Sequence, residues 1–93
     1  MDSAQTYKYI TTAATTTFAG NETKRTVLHG IQINKTLVGT VTVKAGTTTI
    51  GVLAIGTLAG THWQSTNGVE IESLTIVNSS SSDDITVFYT NIG

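Results

Sequence analysis

Two histidines, His29 and His62, are the side chains best suited to metal ligation or acid–base work near neutral pH. His29 lies in an alternating apolar run. It has no carboxylate or second histidine two or four residues away, the spacing that would set two ligands side by side on a strand. It reads as a core or subunit-interface histidine. His62 precedes Trp63, and the pair could meet a ligand. The favoured reading is packing, because a lone large aromatic in a small domain usually anchors the core. Glu70 and Glu72 fall on one strand face about 7 Å apart. That distance alone suits a glycosidase pair, but the chain has too little material for an aromatic-lined cleft. The pair is expected to be a solvated strand face. Asp83-Asp84 lacks the further oxygen ligands that calcium needs, and an Asx turn before the last strand is expected instead.

Other chemistries find less support. Serines and threonines are abundant, but no strand–Gly-x-Ser-x-Gly–helix elbow surrounds any of them. Gly56 to Gly60 precedes no predicted helix, so it reads as a flexible connection rather than a phosphate cradle. Three Asn-x-Ser/Thr sequons start at Asn21, Asn34 and Asn78. With no secretory leader visible at Met1-Asp2-Ser3-Ala4-Gln5, they read as turn chemistry. The chain contains no cysteine, which removes disulfides and thiolate metal sites. No cofactor and no enzyme activity are expected.

The elements that would position these groups are short strands. About one residue in five is threonine, far above typical usage, and Thr, Val and Ile favour a pleated, half-buried surface. Period-two alternation predicts strands over Thr6–Thr12, with Tyr7 and Tyr9 on one face, and over Thr15–Ala19. A turn at Gly20-Asn21-Glu22-Thr23 leads into Arg25–Asn34, where Val27, His29, Ile31 and Ile33 are expected to share the inner face. Thr40–Ala45 follows, with Val41 and Val43 inward, then a turn at Gly46-Thr47 and a strand over Thr48–Ile55. Ile50, Val52 and Ala54 oppose Leu53 and Ile55, which suggests a strand covered on both sides, in part by another subunit. Thr61 to Gln64 reads as a short strand or packed loop, and Asn67-Gly68 as a turn. Between Val69 and Asn78 the apolar parity reverses, and a one-residue bulge near Glu72-Ser73 would restore it. After a solvated loop at Ser79–Ser82, Asp84–Thr90 closes the fold, with Ile85, Val87 and Tyr89 inward. Strands at this spacing imply an all-β antiparallel sandwich, jelly-roll-like, as one domain over residues 1–93. Residues 1–5 are expected to form a flexible N-terminal arm.

Charge and size bound the partners. Five Lys/Arg balance six Asp/Glu, and only 12% of residues are charged. No basic stripe exists for nucleic acid, and the longest apolar stretch is too short for a membrane helix. A core this thin commonly gains stability by association, and low charge lets copies pack closely.

Four segments occur in order: Val27-Leu28-His29-Gly30-Ile31-Gln32-Ile33-Asn34, Gly39-Thr40-Val41-Thr42-Val43, Asn67-Gly68-Val69 and Asp84-Ile85-Thr86-Val87-Phe88-Tyr89. Over roughly residues 6 to 90 this pattern resembles a group of small β-sandwich virion proteins of tailed bacteriophages. The chain departs from that pattern at Lys44-Ala45-Gly46, where an Asp-Gly turn is usual, and at Val69, where Leu is commoner. The resemblance implies no catalytic residues. It implies a protein made in the host cytoplasm that decorates or cements the capsid surface of the virion, often as a homotrimer on the major capsid protein. Tyr7, Tyr9, Leu53, His62 and Trp63 are the expected interface or ligand contacts, and Met1 to Tyr9 is expected to reach a neighbouring capsomer. The alternative is a carbohydrate- or cell-surface-binding module of a head fibre or tail, with His62, Trp63 and Tyr89 as an aromatic platform.

Overall fold

A computed structural model describes residues 6–18, 25–63 and 70–92. The strands are β1 (Thr6–Ile10), β2 (Ala14–Phe18), β3 (Arg25–Ile33), β4 (Val41–Ala45), β5 (Thr48–Leu53), β6 (His62–Trp63), β7 (Glu70–Glu72), β8 (Leu74–Asn78) and β9 (Ile85–Ile92). All pairings are antiparallel, and no helix occurs among the described residues. One sheet runs β1-β9-β3-β6, with β7 also on β3; the other runs β2-β8-β4-β5. Because β6 and β7 share the edge beside β3, each sheet has four positions and the chain crosses repeatedly between them. That order is a jelly roll. The expected turns at Gly20–Thr23 and Asn67-Gly68, and the expected arm at residues 1–5, lie outside the described residues.

The core is the space between the sheets. Leu28, Ile31, Ile33, Val41, Val43, Leu74, Ile76, Ile85 and Val87 are all fully buried. Each such side chain stabilises the fold by roughly 1.5–3 kcal/mol relative to exposure. Phe18 and Tyr89 meet edge-on across the gap, with ring centroids 4.7 Å apart, and tie one sheet to the other. Trp63 closes the β5–β6 side. A Cβ on Gly51 would lie 2.9 Å from Trp63 Cζ2, so the glycine makes room for the indole.

The structure corrects two expectations. In β3 the register against β9 slips between Leu28 and Gly30. His29 is the extra residue of a β-bulge, so the inner row is Thr26, Leu28, Ile31 and Ile33, and His29 turns out of the core. The parity reversal after Glu72 is real, but its cause is a change of sheet. β7 pairs with β3, β8 pairs with β2 and β4, and Ser73 between them has φ of 53°. Alternation restarts because the chain turns a corner between the packed sheets. Within the single chain, β5 is an edge strand with one face on the core and the other open, Ile50 being 42% and Val52 57% exposed, so any cover for that face must come from outside the chain. The strand expected from Thr6 is present, with Thr6 to Ile10 pairing residue by residue with Tyr89 to Ile85.

The 54–61 connection is folded into two tight turns. Thr57 N donates to Ala54 O and Thr61 N to Leu58 O, with Gly56 and Gly60 at the third position of each turn. Their φ values of 92° and 91° are those a type II turn requires there. Further backbone bonds from Leu37 N to Thr57 O and from Gly56 N to Leu37 O fasten this loop to the β3–β4 connection.

Candidate binding site

The outer face of the β1-β9-β3-β6 sheet carries the features that point to binding. Alternation aims Tyr7 and Tyr9 of β1, Thr86 and Phe88 of β9, Gln32 of β3 and His62 of β6 to this side. The bulge adds His29. His29, Gln32, His62 and Phe88 line an open depression of about 450 Å³. His62 and Phe88 stack at 6.4 Å with their planes 29° apart. His29 Nε2 lies 2.8 Å from Thr90 Oγ1, which fixes the ring at the floor. Gly30 makes this geometry possible, because a Cβ there would sit 2.5 Å from His62 Cε1.

A polar network borders the depression. Gln32 Nε2 donates to Asn34 Oδ1 at 3.2 Å, and Asn34 Nδ2 donates to Asp84 Oδ1 at 3.1 Å and Thr86 Oγ1 at 2.9 Å. Tyr9 donates its phenol to Asp84 Oδ2 at 2.7 Å. This bond holds the Tyr9 pKa above its ordinary value, aided by slight desolvation and by the charge on Asp84.

The other acidic groups among the described residues are structural or solvated. Asp83 is 1% exposed and accepts from Val38 N at 2.7 Å and Gly39 N at 3.1 Å. It ties down the β3–β4 connection across 44 residues or more, in place of the local Asx turn expected. Glu70 and Glu72 are exposed, and Glu70 lies 3.5 Å from Arg25. Among the described residues no three His, Cys, Asp or Glu side chains gather as metal ligands. Asn78, one of the sequon asparagines, is 2% exposed and donates to Ser80 O within its own turn and to Thr12 O across 66 residues.

Of the expected contact residues, Tyr7, Tyr9 and His62 share the outer face. Leu53 does not, being 5% exposed in the core. Trp63 is packed against the core on the other side of its strand from His62, and Tyr89 also points inward against Phe18. The platform of His62, Trp63 and Tyr89 is therefore split between two faces of the sheet, as strand neighbours must be. Gln32 and Phe88, which drew no attention in the sequence, take their place. Their signal lay in the pairing of β6 with β3, and two residues of β6 are too few to announce it.

A second surface feature is apolar. Val38, Ile50, Val52, Ile55 and Leu58 are each 42–67% exposed. They lie along β5, the loop that leaves it, and the β3–β4 connection hydrogen-bonded to that loop.

No match was found. Family models, curated proteins and solved structures all return nothing similar to this chain.

Proposed function

We propose that this protein is a structural component of a tailed-phage virion that decorates or cements the capsid lattice as a trimer. The observation that carries the reading is the exposed aliphatic edge. Five large apolar side chains lie open on β5, the loop that leaves it and the β3–β4 connection bonded to that loop, in a chain with only 12% charged residues. Scattered exposed hydrophobics need no explanation, but a gathered set marks a contact surface. An interface depleted of charge forms without desolvating ions. Three weak contacts, made together at a threefold position of a lattice, become one strong attachment. The virion-protein resemblance in β3, β4 and β9 supports the same role.

The test is binding to phage heads assembled without this protein. The expected result is saturable binding at a fixed copy number per head, lost on Val52→Asp or Ile55→Asp while the free protein stays folded. Absence of binding by the wild type, or equal binding by both variants, would refute the proposal.

A further inference from the structure

We infer that the depression formed by His29, Gln32, His62 and Phe88 is a binding site for neutral carbohydrate. The inference does not rest on the decoration reading and uses a different surface. The site has the size of a small-ligand site, about 450 Å³ against roughly 300–1,000 Å³ in general. Its chemistry narrows the ligand class. The Phe88 ring, half-buried and stacked with His62, offers an apolar surface to the C–H face of a sugar ring. Tyr7, the cross-strand partner of Phe88 at 66% exposure, extends that surface beside the groove. Around it stand an amide and two imidazoles. Such groups both donate and accept, and so match hydroxyls, which do the same. The Gln32 amide is held in orientation by Asn34, and the His29 ring by Thr90, so both present fixed polar atoms to a ligand.

Charge excludes the competing small ligands. Among the described residues no Lys or Arg lines the groove, so none of them would neutralise a phosphate or a sugar acid there. Arg25 lies beside Glu70 at the far end of β3, and Lys8 alternates to the other side of its strand. Among the described residues no carboxylate lines the groove either, and the nearby Asp84 is engaged by Tyr9 and Asn34. The described lining offers hydrogen-bonding groups and a ring face rather than the carboxylate pair of glycoside cleavage, so the inference is one of binding. The groove is open to solvent, which suits a residue within or at the end of a chain.

The experiment titrates the full chain with glucose, galactose, mannose and N-acetylglucosamine and their disaccharides. It follows the imidazole Cε1–H signals of His29 and His62 by NMR. At least one neutral sugar should shift both signals saturably in the millimolar range. Gln32→Ala and Phe88→Leu should each weaken that binding at least tenfold. Galactose 6-phosphate and sialyllactose should bind no better than galactose and lactose. Gln32 is exposed, so its variant keeps the test valid if Phe88→Leu perturbs the fold. The inference is overturned if no neutral sugar produces a saturable shift, if Gln32→Ala binds as the wild type does, or if only the charged sugars bind.

Discussion

Asp83 shows how one buried side chain can hold a fold edge in place. Its carboxylate is the acceptor for the amides of Val38 and Gly39, and it is almost wholly removed from water. Asp83→Ala would leave two amides without a partner, at a cost of about 3 kcal/mol. The expected readout is a lower urea midpoint at unchanged slope. A loss below about 1 kcal/mol would show that water replaces the carboxylate. Tyr9 gives a second prediction. Its folded pKa is raised, so the neutral phenol is the form that the folded state favours. The associated stabilisation is present below the unfolded pKa, near 10, and fades as pH climbs through the higher folded value. Alkaline titration at 295 nm should show one tyrosine ionising later than the rest, and Asp84→Asn should bring it back. An unaltered profile in that variant would mean that the bond to Asp84 is not the cause. The roles of both aspartates were hidden in the sequence. Local spacing shows an Asx turn, whereas the actual partners lie more than 40 residues away.

At the scale of elements, alternation located the strands well and failed where the chain changes what it is paired to. At His29 a bulge adds one residue, so the row Val27-His29-Ile31-Ile33 that looks continuous in sequence is broken in space. At Ser73 the reverse holds: the parity break was visible, but a bulge and a corner between sheets leave the same mark in a sequence. The two explanations differ in backbone conformation. Ser73 sits at φ of 53°, in the left-handed region that costs a non-glycine residue roughly 1–2 kcal/mol and a β-branched one more. Ser73→Val should destabilise by about 1–2 kcal/mol in thermal or urea unfolding, and Ser73→Gly should not. Equal stability of the three would argue against the left-handed corner. β5 illustrates a further limit. Apolar residues on both faces are compatible with a covered central strand or with an edge strand awaiting a partner, and only the topology separates them.

For the whole molecule, the all-β sandwich was legible because threonine, valine and isoleucine recur with period two and turns interrupt them every few residues. The groove was not legible, since it joins β3, β6 and β9 across 56 residues between Gln32 and Phe88, and no local pattern encodes that meeting. The account rests on the open β5 edge being covered by neighbouring chains. Multi-angle light scattering on the purified protein, from micromolar concentration upward, tests this most directly. The wild type should show three times the 9.8 kDa chain mass, and Val52→Asp should fall to a single chain with its β-sheet circular dichroism intact. A wild type that remains at the mass of one chain at every concentration would contradict the account.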